Sequence, residues 1–394
     1  MSSLTSPFTN PLPHPWNMAE LSAAPQIVCI PEMDQGNIEA VYYDGLPYQG
    51  KPTRVFAYYA LPEEADPAAP VPAMVLVHGG GGTAFHEWVR IWTDRGYAAI
   101  AMDLEGHLPL EKDSEGKRPQ HAWSGPSRQG EFEDYALPVE EQWMYHAVAA
   151  VIKAHSFIRS LPQVDASRVG INGISWGGIV TSIVSGVDSR FSFAIPVYGC
   201  GYLYEATNRY GEGFARMPEA DSENIKRLWD PSAHLPNVTM PMLWVNGDAD
   251  AHFPLNLFSK SFETARSRRS ESLLSIQFGL GHSHVKGWQP KEIYRFADQM
   301  TKGTEPLLHV SPLQTNGNTA AVSYSGDTAV RQAELRYATD TSDWFAMNWK
   351  TAEVTIDRDS QEITAVIPDG AQAYFVLITD ERDGVVCSDI RRLP

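Results

Sequence analysis

Gly173-Ile174-Ser175-Trp176-Gly177 decides how the rest of this chain is read. The pattern G-x-S-x-G marks a nucleophile elbow, a sharp turn between a strand and a helix that lifts a serine hydroxyl clear of its neighbours. Its surroundings fit. Upstream, Ser167-Arg168-Val169-Gly170-Ile171-Asn172 is a short β-prone run with alternating apolar residues. Downstream, Gly178-Ile179-Val180-Thr181-Ser182-Ile183-Val184 suits a buried helix. The glycines two positions either side of Ser175 have a steric reason, because side chains there would collide with the adjoining strand and helix.

Working outward, the chain alternates strand and helix. Ala73-Met74-Val75-Leu76-Val77 is a continuous apolar run ending in His78-Gly79-Gly80-Gly81-Gly82, as expected of a parallel strand covered on both faces. A helix over 85–95 and a strand over 98–103 follow. A polar stretch, 104–129, reads as a loop or lid, and 140–160 as a long helix. Beyond the elbow, Phe193–Val197, Met242–Asn246 and Leu273–Phe278 are further buried strands, and 290–300 is an amphipathic helix. This order predicts an α/β fold with a mostly parallel central sheet and helices on both faces.

Three segments are expected: an extended arm over 1–25, a catalytic domain over 26–304, and an all-β domain over 305–394. The last shows alternating short runs at 320–324, 333–337, 352–356 and 374–378. They predict a sandwich of immunoglobulin or fibronectin III type.

Composition narrows the function classes. At 394 residues the chain exceeds one ordinary domain, and 43% hydrophobic residues supply a substantial core. A formal net charge of −17 argues against nucleic acid as a partner, since phosphates would be repelled. Cys29, Cys200 and Cys387 lie far apart without metal spacing and are expected reduced. No basic and apolar leader and no long apolar run is visible. The expectation is therefore a cytoplasmic protein with no membrane partner.

An elbow serine needs a base, an acid that orients the base, and donors for an oxyanion. Candidates follow in the chain order Ser, Asp, His. After the strand ending at Asn246 comes Gly247-Asp248-Ala249-Asp250-Ala251-His252, where Asp250 on the loop crest is the first choice and Asp248 the second. After the next strand comes Gly279-Leu280-Gly281-His282-Ser283-His284, with His282 favoured as base and His284 as the alternative. The N–H of Trp176, with that of Gly80 or Gly81, would form the oxyanion hole. No phosphate-binding reading fits, because no G-K-[ST] follows the glycines. Asp103, Glu105 and His107 carry no metal spacing. Trp176, Tyr198, Tyr202 and Tyr204 are equally suited to walling a pocket or filling a core.

In combination, residues 40–300 resemble the α/β-hydrolases. Within them the chain is similar to the branch of dienelactone hydrolases, acetyl xylan esterases and prolyl-oligopeptidase-type serine hydrolases. The run Arg168–Gly178 is similar to the elbows of bacterial acetyl xylan esterase-like proteins. Ser175 departs from the dienelactone hydrolases, which use a cysteine there. The roughly 70 residues before the first motif are too few for the propeller of the oligopeptidases. The resemblance implies a serine esterase with no cofactor and no metal, acting on a small-molecule or carbohydrate ester. A peptidase or amidase is the alternative, and a binding module without catalysis the third. The C-terminal domain is open to docking on the catalytic domain, covering the pocket or forming a homo-oligomer.

Overall fold

The computed structural model describes residues 14–266 and 271–393. Strands β1 (Ile27–Cys29), β2 (Glu39–Asp44), β3 (Arg54–Ala60), β4 (Val71–Val77), β5 (Ala98–Met102), β6 (Val164–Ile174), β7 (Phe193–Val197), β8 (Leu243–Gly247) and β9 (Leu273–Gln277) join in the order β1-β2-β3-β5-β4-β6-β7-β8-β9. From β5 to β9 every pairing is parallel, while β1, β2 and β3 form an antiparallel edge. Strand β4, apolar along its length, is almost wholly buried, as a strand covered on both faces must be.

The helices are α1 (Met18–Leu21), α2 (His86–Thr93), α3 (Trp143–Ser160), α4 (Trp176–Val187), α5 (Arg209–Arg216), α6 (Glu219–Trp229), α7 (Leu255–Arg266), α8 (His284–Gly287) and α9 (Lys291–Lys302). Helix α4 is buried on every face from Trp176 to Ser185, so it is a core helix rather than an amphipathic one. Helix α9 instead buries one face through Ile293, Tyr294, Phe296 and Ala297.

The expected extended arm is partly corrected. Residues 1–13 lie outside the described residues. Residues 14–25 include helix α1 and are anchored: Trp16 is buried, and its Nε1–H donates to the Tyr145 carbonyl at 2.9 Å. Ser156 Oγ–H reaches the Leu21 carbonyl at 2.7 Å.

The C-terminal region is β-rich, as expected, and one of its two sheets continues the central sheet. Strands β10 (His309–Val310), β11 (Gln314–Asn316), β12 (Thr319–Ser325), β13 (Val330–Ala338), β14 (Lys350–Ala352), β15 (Thr355–Asp357), β16 (Glu362–Val366), β17 (Ala373–Asp380) and β18 (Val385–Cys387) divide between two sheets. Strand β18 pairs with β9 through Cys387 and Leu274, so the central sheet runs on into β17, β13 and β14. The second sheet has the order β10-β12-β16-β15. The single strand expected over 352–356 is in fact two strands, one in each sheet. Ser275 Oγ–H to the Val385 carbonyl (2.7 Å), Val385 N–H to Glu292 (2.8 Å) and the Arg295–Asp380 ion pair (2.6 Å) fasten this region to β9 and α9.

Candidate active site

The C-terminal ends of β4, β6, β8 and β9 converge on one cleft. That is where ligands enter an open parallel sheet, since the loops leaving those ends are free to be shaped for binding. Ser175 stands between β6 and α4 with φ +60° and ψ −118°, a strained conformation for a non-glycine residue. Close packing holds it there. A Cβ on Gly173 would collide with the Gly177 carbonyl, and one on Gly177 with the Val77 carbonyl.

His282, on the loop after β9, lies with Nε2 2.8 Å from Ser175 Oγ and Nδ1 3.0 Å from Asp250 Oδ2. The Asp250 carboxylate is buried, and its other oxygen accepts the N–H groups of His252 (2.7 Å) and Phe253 (3.2 Å). The Tyr198 ring covers the imidazole at 4.4 Å between centroids. In this arrangement Oγ–H can pass its proton to Nε2 while Nδ1–H points at the carboxylate, which fixes the imidazole's tautomer.

The second choices have other places. Asp248 accepts the Gly279 N–H at 2.6 Å, tying the loop after β8 to the loop after β9. His284 accepts the Gly79 N–H on Nε2 at 2.9 Å rather than meeting Ser175. Burial, then the neighbouring His78, pulls its pKa down to about 4, so its ring is neutral.

The glycine run forms a tight turn closed by Gly82 N–H to the Gly79 carbonyl at 3.0 Å, with Gly81 at φ +67°. A positive φ at the third residue of such a turn favours glycine. His78 braces the same turn. Its Nε2 accepts the Leu104 N–H at 2.9 Å, and its Nδ1 is 2.7 Å from the Gly79 carbonyl. Gly80, Gly81 and Trp176 all border the cleft beside Ser175.

The cleft encloses about 420 Å³. Its walls include three residues that had no signal in the sequence: Arg128, Arg209 and His252. Arg128 comes from the polar stretch before α3 and lies over the Trp176 ring, 4.8 Å from its centroid. Glu131 sits beneath both arginines, 3.5 Å from Arg128 and 2.8 Å from Arg209. A lone arginine, in a loop or at the start of a helix, carries no pattern, so only the fold could bring these together. Of the four aromatic residues weighed as pocket walls, Trp176 lines the cleft and Tyr198 backs His282. Tyr202 turns into the core, 2.8 Å from Thr264 Oγ1, and Tyr204 lies beneath Lys226.

Asp103 Oδ1 accepts the N–H groups of Glu105 and His107 and shapes the start of the long loop. Among the described residues no three His, Cys, Asp or Glu side chains are grouped to hold a metal ion, and no helix is long and apolar enough to cross a membrane.

Comparison with known proteins points to two groups. The prolyl oligopeptidase family matches residues 120–304, and the acetyl xylan esterase family matches residues 16–206. Among solved structures, acetyl xylan esterase 1 from Thermoanaerobacterium superposes with TM-score 0.52 and 18% identity, over 73% of this chain and 94% of that one. An acylaminoacyl peptidase from Pyrococcus horikoshii superposes with TM-score 0.51 and 21% identity, over 70% of this chain and 44% of that one. Among curated sequences, the uncharacterized peptidase YuxL of Bacillus subtilis is 23% identical over 59% of this chain, and the acetyl esterase Axe7A of Xylanibacter ruminicola is 22% identical over 45%. The matches span 34% and 40% of those two relatives, well under half of their length.

Proposed function

We propose that this chain, which has the α/β-hydrolase fold, is a serine hydrolase of carboxylic esters, removing acetyl or comparable small acyl groups from a carbohydrate or similar alcohol. The observation that carries this reading is the hydrogen-bonded line from Asp250 through His282 to Ser175. Ser175 Oγ attacks the acyl carbon as His282 Nε2 takes its proton, and Asp250 stabilises the imidazolium that forms. The N–H groups of Trp176 and of Gly80 or Gly81 receive the tetrahedral oxyanion, each donor contributing roughly 3–4 kcal/mol to the transition state. His282 returns the proton to the leaving alcohol. Water, activated by the same imidazole, then attacks the acyl-enzyme and frees the acid.

Support for an ester comes from the family match over residues 16–206, which takes in both the glycine turn and the elbow. A second reading, a peptidase or amidase, draws on the match over residues 120–304. The chemistry at the acyl carbon is the same in both and differs in the leaving group. Purified protein assayed on acetylated sugars and aryl acetates, beside aminoacyl and dipeptidyl anilides, separates them. Acetate release with inert anilides supports the esterase, and the reverse pattern supports the peptidase.

A further inference from the structure

Gly79 is gripped at both ends of its residue. Its N–H goes to His284 Nε2, and its carbonyl receives the Gly82 N–H and lies 2.7 Å from His78 Nδ1. It is also pressed on the nucleophile: an added Cβ would come 2.8 Å from Ser175 Cβ and 3.2 Å from His284 Nε2. Across the turn, a Cβ on Gly82 would come 2.8 Å from the same Nε2. The imidazole of His284 thus sits inside the concave side of the glycine turn, with the Phe85 ring packed on it at 5.0 Å. With the Gly79 amide committed to His284, the donors left to face a substrate oxygen are those of Gly80 and Gly81.

Resting on the serine hydrolase reading, we propose that His284 is a positioning residue. It holds the Gly79–Gly82 turn against Ser175, so that the next amides meet the oxyanion. The two histidines of Gly281–His284 therefore divide the work, His282 moving the proton and His284 setting the distance over which the oxyanion is held. The role requires a neutral ring with the proton on Nδ1, because Nε2 must accept. A small displacement of the turn costs rate rather than binding, since the oxyanion exists only in the transition state.

The test compares wild type, His284→Leu and His284→Gln on 4-nitrophenyl acetate. His284→Leu should lower kcat by about 10- to 100-fold with KM nearly unchanged. His284→Gln, whose side-chain oxygen can accept the Gly79 N–H, should recover most of that loss. A kcat for His284→Leu within about two-fold of wild type overturns the proposal, as does a change confined to KM or a folded glutamine variant as slow as the leucine one. Imidazole nitrogen shifts of the wild-type protein supply a readout that needs no variant and no turnover. His284 protonated on Nδ1 is the expected result, and protonation on Nε2 overturns it. If wild type cleaves no ester, the functional reading fails while the nitrogen shifts still decide the role of His284 in the turn.

Discussion

Asp248 and Asp250 stand two residues apart on one loop and have different partners: Asp248 takes the Gly279 N–H at 2.6 Å, and Asp250 lies 3.0 Å from His282 Nδ1. The first joins two loops. The second orients an imidazole.

Asp250→Asn should therefore cut kcat by up to about 10⁴-fold, because an amide there favours the wrong imidazole tautomer. Asp248→Ala should leave kcat within a few-fold and lower stability by about 1 kcal/mol, the worth of one hydrogen bond. Steady-state kinetics and urea denaturation of the two variants check both statements.

The elbow tolerates no side chain at its rear. Gly177→Ala would drive a Cβ into the Val77 carbonyl at the end of β4. Backbone cannot step aside as a side chain can, so the expected cost is about 3 kcal/mol. Thermal denaturation measures it, and an unchanged Tm would contradict the close packing of α4 on β4.

Much of this site was legible because its chemistry is local in sequence. A strand, a tight turn and a helix surround Ser175 between Val164 and Val187, and each other candidate follows a recognisable buried strand. The choice between Asp248 and Asp250, and between His282 and His284, was not local: it depends on how the loops after β8 and β9 meet. Arg128, Arg209 and Glu131 were invisible for the same reason. In the C-terminal region, alternation announced strands without saying which edge each would join. Residues 352–356 read as one strand, yet the chain crosses between sheets at Glu353 and Val354. Nothing in the pattern of Val385–Cys387 foretold its pairing with β9.

That pairing has a consequence for unfolding. Asp380 on β17 is buried and bound at 2.6 Å by Arg295 of α9, so the C-terminal sheets and the catalytic region share an ion pair as well as a sheet. Arg295→Ala leaves a buried carboxylate without its cation and should cost about 3 kcal/mol. Calorimetry should show one transition in wild type. Two well-separated transitions would mean that the two regions unfold independently.

Glu263, on α7, gives stability a pH dependence. Burial, then the nearby Asp389 carboxylate, raises its pKa to about 7 from an ordinary value of 4.5. The folded carboxyl therefore keeps a proton that the unfolded chain has already lost. Its favourable contribution is complete below pH 4.5 and is lost as pH rises through about 7. His234 works in the opposite direction: burial lowers its pKa to about 4, so stability falls as pH drops from 6.5 toward that value. Glu263→Gln should consequently gain stability over wild type at pH 8 compared with pH 4, by up to about 3 kcal/mol. Urea midpoints at the two pH values test it, and equal differences at both would contradict the shift.

Covalent labelling decides whether Ser175 is an activated nucleophile. Wild type and Ser175→Ala are treated with a fluorophosphonate, and their intact masses and labelled peptides are measured. One adduct on Ser175, absent from the variant, is the expected result. An adduct on another residue, or none on wild type, would contradict it.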